Sequence, residues 1–131
     1  MMNTDVKDQK RADHDPLTEV VIGCVFRIAN SLGTGFLEKV YENALALELG
    51  KTGLRIERQV PISVRYEGQV VGTYVADLLV DGRLLVELKA CRALEDIHFA
   101  QCLNYLRATS IPTCLLVNFG TIKPQIKRIS G

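Results

Sequence analysis

The sequence predicts a single α+β domain in which helices pack on a sheet. Two stretches with helical spacing of apolar residues come first, three strand-like stretches follow, and a further helix precedes two more strand-like segments. The length of 131 residues suits one domain, and 47% hydrophobic with 24% charged residues is ordinary globular composition. We expect the domain to occupy residues 15–131. Residues 1–14 are polar and carry both charge signs, which predicts a disordered tail.

Three segments show the periodicity of amphipathic helices. The first begins at Asp15 and Pro16, a capping residue followed by a proline in the first turn, and ends at the glycine-containing residues 31–35. The second runs over about residues 37–49 and the third over about residues 94–108. The two earlier helices are separated from the third by the predicted strands.

Strand signals fill the rest of the chain. Residues 55–66 alternate, with Ile56, Val60 and Ile62 predicted on one face and Arg58 as the exception there. A proline within this stretch indicates an edge strand or a bulge. Residues 72–91 read as a hairpin. Residues 114–119 are almost all apolar, as in a sheet interior, and residues 125–129 predict a last edge strand.

Charged residues interrupt the apolar strands of the central hairpin. Asp77 lies within one strand, and Glu87 and Lys89 lie within the other. An unpaired buried carboxylate is costly, so a cation or a lysine is expected beside each acid. Glu87 and Lys89 share a face because strand side chains alternate. The hairpin turn decides whether Asp77 joins them.

Asp81 and Gly82 mark that turn. A two-residue loop would place Asp77 and Glu87 on opposite faces of the sheet. A three-residue loop of residues 80–82 places Asp77 opposite Leu85 and on the same face as Glu87. A glycine at the end of such a loop suits the left-handed conformation common there, so we predict the three-residue loop.

Charge and composition limit the partners. A formal net charge of +1 gives no general basic field, so affinity for nucleic acid must come from a local patch or a metal. The chain has no apolar run long enough to cross a bilayer and no apolar signal segment, which predicts a cytoplasmic protein without membrane contact. The cysteines lack metal-binding spacing and predict buried, reduced thiols. Basic residues that could contact phosphates, or simply be solvated, are Arg55, Arg58, Arg65, Lys123, Lys127 and Arg128.

The order βββαβ, with Asp77 on the second strand and Glu87-Leu88-Lys89 on the third, resembles the core of PD-(D/E)xK nucleases. The resemblance runs over about residues 17–129 and implies a restriction-endonuclease-like core. Ala76 stands where the motif has its leading proline.

Two further motifs narrow this resemblance. Gln101 and Tyr105 form a Q-x-x-x-Y on the following helix, which is similar to the RecB-like branch of these nucleases. Gly35, Glu38 and Tyr41 match the GxxExxY signature of a small bacterial family placed in the same superfamily.

The resemblance implies hydrolysis of phosphodiester bonds, in DNA or, as the second choice, RNA, by water activated on Mg²⁺ or Mn²⁺. Asp77 and Glu87 have the carboxylate oxygens that Mg²⁺ prefers. The family adds the carbonyl of Leu88 and the helix-borne Glu38 as ligands. Lys89 would orient the water or stabilise charge on the phosphate. Gln101 and Tyr105 would contact the phosphate or hold the lysine.

Other interpretations stay open at this point. The acids and Lys89 could form a structural pair, Glu38 could act only on the helix start, and Gln101 and Tyr105 could belong to an ordinary polar face. Tyr41 reads as a core aromatic whose hydroxyl reaches the surface. The domain could also be a non-catalytic nucleic-acid- or protein-binding module, or hydrolyse another phosphoester, and by analogy it could form a homodimer.

Overall fold

The computed structural model describes residues 15–131, so the predicted tail of residues 1–14 lies outside the described residues. The described chain forms α1 (Pro16–Leu32), α2 (Glu38–Gly50), β1 (Ile56–Tyr66), β2 (Gln69–Val80), β3 (Leu84–Lys89), α3 (Asp96–Ala108), β4 (Thr113–Asn118) and β5 (Gln125–Ser130). The predicted α+β class and order of elements are confirmed.

The strands form one sheet in the order β1-β2-β3-β4-β5. Only the pair β3 and β4 is parallel, within the described residues, and α3 makes the crossover that a parallel pair requires. β1 is an edge strand, as its proline predicted, and β5 is the other edge. β4 is buried along its whole length, as its apolar sequence predicted.

Helices cover both faces of the sheet, so the chain has two cores. The first core lies under α1 and α2 and takes Leu78, Val80 and Val86 from the sheet. The second core lies under α3 and takes Leu79 and Leu85. Since strand side chains alternate, Glu87 and Lys89 fall on the α3 face with Leu85.

Local sequence signals explain the helix boundaries. The Asp15 side chain caps α1 by accepting a hydrogen bond from the amide of Leu17 at 3.1 Å. The helix ends at Gly33, whose φ of 72° favours glycine and whose amide donates to the carbonyl of Ala29. The predicted start and end of this helix are confirmed.

Tyr41 attaches the loop between α1 and α2 to the first core. Its ring is fully buried and stacks on Phe119, with centroids 4.4 Å apart. Its hydroxyl donates to the carbonyl of Gly33 at 2.6 Å and lies 3.4 Å from the amide of Phe36. The predicted core aromatic is confirmed, and its hydroxyl is bound to the loop instead of reaching solvent.

The faces of β1 interchange at Gln59. Ile56 packs against the first core, whereas Val60 and Ile62 pack in the second. Regular pairing with β2 skips Gln59, whose φ of 52° turns the strand. The prediction that Ile56 shares a face with Val60 and Ile62 is therefore wrong, because strict alternation takes no account of a left-handed residue.

The turn between β2 and β3 confirms the odd-numbered loop but shifts its position. Val80 pairs with Leu84, so the loop comprises residues 81–83 instead of 80–82. Both Val80 and Leu84 are buried, and a loop containing Val80 would remove an apolar side chain from the first core. Asp81 and Gly82 have φ values of 52° and 65°, so both adopt the left-handed conformation.

This shift moves the partner of Asp77 by two residues. The register of the pair Leu78–Val86, continued by one residue, would pair Asp77 with Glu87 instead of with the predicted Leu85. A shift of two residues preserves the face, because side chains alternate with a period of two. The hydrogen bonds of Asp77 and Glu87 hold the two acids close together. That their side chains share one face of the sheet stays a prediction.

The remaining expectations concern cysteines and membranes. Cys24, Cys102 and Cys114 are buried, Cys91 is half-buried, and all four are free thiols. In the described part of the chain, none of the helices combines the length and the apolar character needed to span a membrane.

Candidate active site

The two acidic residues are bound to each other's strands. The amide of Leu88 on β3 donates to Oδ2 of Asp77 at 2.8 Å, and the amide of Asp77 lies 3.4 Å from Oε1 of Glu87. Regular pairing of β2 with β3 covers only residues 78–80 and 84–86. Beyond this pairing, the amides of Asp77 and Leu88 donate to carboxylate oxygens instead of backbone carbonyls. These hydrogen bonds hold the two carboxylates close together between the strands.

The backbone carbonyl of Leu88 points toward β2, the strand that carries Asp77. In a strand, the N–H and C=O of one residue point toward the same neighbour. Because the amide of Leu88 points to Asp77, its carbonyl also points toward β2. The next residue, Lys89, directs its carbonyl the other way, to the amide of Phe119 beyond β4.

Burial makes both carboxyl groups hard to ionise. Glu87 is only 5% exposed, and desolvation followed by the charge of Asp77 raises its pKa to about 7, against the opposing effect of Lys89. Desolvation also raises the pKa of Asp77, although the hydrogen bond from Leu88 lowers it. A cation bound between two such neighbouring acids would be favourable, because it stabilises the charged form of both carboxyl groups.

Lys89 lies beside Glu87 and is held from α3. Its Nζ is 3.7 Å from Oε2 of Glu87 and 3.4 Å from Oε1 of Gln101, which accepts the hydrogen bond. The lysine side chain is 18% exposed. The structure thus brings together the predicted lysine, the glutamate and the glutamine, with the ammonium group near solvent.

Tyr105 contacts the other side of Glu87. Its ring is buried in the second core, and its hydroxyl lies 3.4 Å from Oε2 of Glu87 and 3.2 Å from the carbonyl of Val75. Burial and then the charge of Glu87 raise the pKa of the tyrosine, so it remains a neutral hydrogen-bond donor. Sequence analysis had placed this residue on a polar helix face, but only its hydroxyl is polar and the ring belongs to the core.

Glu38 lies apart from these residues. It is exposed in the first turn of α2, and within residues 15–131 it has no hydrogen bond or ion pair with Asp77, Glu87 or Lys89. Its predicted role as a ligand stays a prediction. Another acid of α2, Glu42, does affect the site, because its charge raises the pKa of Asp77.

Glu42 is a buried residue that sequence analysis missed. It is 3% exposed and accepts hydrogen bonds from Arg58 at 3.0 Å, Gln59 at 2.7 Å and Lys39 at 3.1 Å. The side-chain amide of Gln59 also donates to Oδ1 of Asp77 at 3.4 Å, so it bridges Glu42 and Asp77. The signal was present, because an arginine on an apolar strand face needs a buried acid as its partner.

The oxygens present fit a hard divalent cation. Carboxylate oxygens of Asp77 and Glu87, together with the carbonyl of Leu88, are the ligand types that Mg²⁺ and Mn²⁺ take, and Mg²⁺ completes its shell with water. Among residues 15–131, no three His, Cys, Asp or Glu side chains form a cluster able to hold a metal by themselves. A backbone carbonyl and water would therefore have to contribute.

A groove opens beside the lysine. It has a volume of about 420 Å³ and is lined by Lys89 and Tyr74 on the sheet and by His98, Gln101 and Asn104 on α3. His98 also accepts a hydrogen bond from the amide of Glu95 at 3.0 Å, which caps α3. Lys89 and Gln101 are thus accessible from the α3 face of the sheet.

Comparisons with known proteins give a family and a fold for the chain. A family profile described as the PD-(D/E)XK nuclease superfamily matches residues 15–129. Among solved structures, an alkaline exonuclease (LHK-Exo) from Laribacter hongkongensis is similar, with a TM-score of 0.52 and 16% identity over 70% of this chain and 55% of that chain. No curated protein sequence matches the chain significantly.

A second solved structure, that of SSO0001, has a TM-score of 0.52 and 18% identity over 93% of this chain and 59% of that chain. The chain therefore spans less than two thirds of either structure. At such identities the likeness shows a shared fold. The family match covers nearly all of the described residues, and the chain belongs to the PD-(D/E)XK nuclease superfamily.

Proposed function

We propose that this protein is a nuclease that uses Mg²⁺, with Mn²⁺ as a substitute, to hydrolyse phosphodiester bonds in DNA or, as the second choice, RNA. The observation that carries the proposal is the pair Asp77 and Glu87, bonded across β2 and β3 beside Lys89. Family membership supports a nuclease that uses a divalent ion.

The chemistry assigned to each residue follows from its position. Asp77, Glu87 and the carbonyl of Leu88 would hold the ion, which supplies a Lewis acid for the phosphate and lowers the pKa of bound water. Lys89 would donate to the phosphate or the attacking water and stabilise developing negative charge. Gln101 would keep the lysine in place.

Two residues support the acids instead of touching the substrate. Tyr105 donates to the carboxylate of Glu87 or to the carbonyl of Val75 and restricts the glutamate side chain. Gln59 bridges Asp77 to Glu42. These contacts would hold the carboxylates in one geometry before the ion binds.

The finer assignments are also part of the proposal. Gly35, Glu38 and Tyr41 support membership of the GxxExxY group, and Gln101 with Tyr105 supports the RecB-like branch. Cytoplasmic location and a homodimer are retained as predictions. Glu38 is retained as a residue that contacts metal-bound water, and its replacement tests that role.

Cleavage assays test the function. Labelled single-stranded DNA, duplex DNA and RNA would be incubated with the full chain in Mg²⁺, Mn²⁺ or EDTA. We expect cleavage that requires the metal, is lost in Asp77→Asn and falls by about 10²- to 10³-fold in Lys89→Ala. Asp81→Asn is the matched control, because Asp81 lies in the β2–β3 turn and its Oδ1 acceptor for Arg55 survives the change.

The outcomes separate the alternatives. Equal cleavage by the wild type, Asp77→Asn and Lys89→Ala would count against the proposed site, because such cleavage comes either from another site or from a contaminating nuclease. Binding of nucleic acid without cleavage in any metal would favour the non-catalytic module. Glu38→Gln should reduce cleavage without preventing metal binding if its contact is through water.

A further inference from the structure

A second groove continues from the one beside the proposed active site. It has a volume of about 520 Å³ and lies between the β1–β2 hairpin and α3. Tyr74 and Asn104 line both grooves, so the two are contiguous. We name the combined feature the α3 channel, with Lys89 and Gln101 at one end and Arg65 and Arg107 at the other.

The charged side chains that line the α3 channel are positive. Lys89, Arg65 and Arg107 contribute cations, and none of the described residues that line either groove is an aspartate or glutamate. Arg65 and Arg107 are exposed, and Arg65 makes only a long hydrogen bond of 3.4 Å to a turn carbonyl. Such a groove suits successive phosphates of a nucleic-acid backbone.

Tyr74 stands between the two charged ends. It is 44% exposed, and its ring packs against that of Tyr105 with centroids 6.1 Å apart. Tyr105 in turn contacts Glu87, so Tyr74 is separated from the proposed active site by one buried ring. An aromatic side chain between cations is the arrangement by which proteins bind unpaired nucleotides.

We infer that the α3 channel binds a single strand of the substrate on one side of the scissile phosphate. Arg65 and Arg107 hold its phosphates, and a base stacks on Tyr74. The inference rests on the proposed nuclease function for the identity of the ligand. Internal bases of a duplex are already stacked on both faces, so only an unpaired or terminal base has a face free for Tyr74.

Binding measurements in EDTA test this inference without cleavage. Fluorescence anisotropy of the full chain would compare labelled single-stranded DNA, single-stranded RNA and a circular DNA duplex, which has no terminal base. We expect tighter binding of a single strand than of the duplex. Tyr74→Ala should weaken single-strand binding by about 5- to 150-fold, whereas Tyr74→Phe keeps the ring and should keep the affinity.

Salt dependence tests the arginines separately. Replacing Arg65 and Arg107 together by alanine should reduce the slope of log K against log salt by about 1.4, since each phosphate contact on a single strand contributes about 0.7. Arg83→Ala is the matched control, because this exposed arginine lies in the turn at the other end of β2. It should leave the slope nearly unchanged.

Two results would overturn the inference: equal or tighter binding of the circular duplex, or unchanged single-strand affinity in Tyr74→Ala. Neither depends on cleavage. If the wild type cleaves with metal but Tyr74→Ala binds normally, the nuclease proposal stands and the channel is wrong. If Tyr74 is required for single-strand binding but no metal supports cleavage, the channel stands and the nuclease proposal fails.

Discussion

The amide of Leu88 donates to Oδ2 of Asp77 at 2.8 Å, so a side chain closes the space between two strands whose regular pairing has ended. Each acid is therefore fixed by a backbone amide of the neighbouring strand. The arrangement orients the carboxylates before any ion binds, but it also buries two like charges together. Substitutions that keep the hydrogen bond but remove the charge separate these two effects.

Asp77→Asn should preserve the fold better than Asp77→Ala. The asparagine carbonyl can still accept from Leu88, whereas alanine leaves that amide without its acceptor, at a cost of about 1–3 kcal/mol in the free energy of unfolding. Both variants should lose Mn²⁺ affinity, because both lose a charged ligand. Urea denaturation and titration calorimetry measure the two effects, and equal stability of the two variants would contradict the assigned role of the hydrogen bond.

The metal-free protein should become less stable as the pH rises from 5 to 8. The folded pKa of Glu87 is about 7, above its ordinary value of 4.5, so the stabilisation is complete below 4.5 and is lost as the pH rises through 7. The loss amounts to about 3 kcal/mol for this group. Urea unfolding in EDTA at both pH values measures it.

Glu87→Gln is the control for this pH dependence. The amide does not titrate, so most of the difference between pH 5 and pH 8 should disappear, with a smaller remainder from Asp77, whose pKa is also raised. Mn²⁺ should reverse the trend in the wild type, because the ion binds the charged carboxylates. An equally steep decline in stability in Glu87→Gln would assign the titration to other groups.

The strands and helices were predictable because their signals are local, whereas the site contacts depend on distant residues. The spacing of apolar residues predicts α1, and the all-apolar residues 114–119 predict a central strand. Neither pattern shows that Gln59 has a positive φ and exchanges the faces of β1. That exchange depends on its contacts with Glu42 and Asp77, which lie 17 and 18 residues away in sequence.

The odd-numbered loop between β2 and β3 was predictable for a different reason. Strand periodicity allows only two outcomes for Asp77 and Glu87, and a glycine at position 82 suits the left-handed end of a three-residue loop. The position of that loop was not predictable from turn residues alone. Burial of Val80 decided it, and burial depends on helices at the other end of the sequence.

Glu42→Ala should destabilise the protein strongly. The carboxylate is 3% exposed and accepts from Arg58 and Gln59. Arg58 is 42% exposed and stays solvated, so the loss is that of hydrogen bonds to a buried charged acceptor, about 1.5–3 kcal/mol. Thermal or urea unfolding measures this loss. Glu48→Ala in the same helix is the control, since its pair with Arg27 is exposed and should contribute little. Similar losses in both variants would contradict a special role for Glu42.

Gly120→Ala should disrupt the contact between the residues that follow β4 and those that follow β3. A Cβ at this position would collide with the backbone of Cys91, its carbonyl oxygen first, and backbone atoms cannot move aside as a flexible side chain can. The side chain of Asn118 already fixes Cys91 through its amide and carbonyl, which removes room for adjustment. We expect a loss of soluble, cooperatively folding protein, measured by expression yield and thermal unfolding.

Gly23→Ala is the matched control for that change. Gly23 lies inside α1, and a methyl group added there would meet nothing within 4 Å outside the helix's own backbone, so the same substitution should stabilise the helix by about 1 kcal/mol. Opposite signs for the two glycines are expected. A neutral Gly120→Ala would mean that the chain after β4 can rearrange.

Gln101→Ala should slow cleavage through Lys89. The glutamine accepts from the ammonium group at 3.4 Å, so its loss frees the lysine side chain and should reduce the single-turnover rate by about 10-fold, the equivalent of one hydrogen bond to a charged group. Lys89→Ala should cost about 10²- to 10³-fold, as for loss of a donor to developing charge. Gln69→Ala, an exposed glutamine at the start of β2, is the control.

A double-mutant cycle shows whether the two residues act together. If Gln101 works only by positioning Lys89, then Gln101→Ala should have little further effect in the Lys89→Ala background. Metal affinity, measured by calorimetry, should be unchanged by Gln101→Ala because its amide contacts the lysine and neither acid. Additive losses in the cycle would instead assign Gln101 its own contact with the substrate phosphate, which sequence analysis left as the alternative.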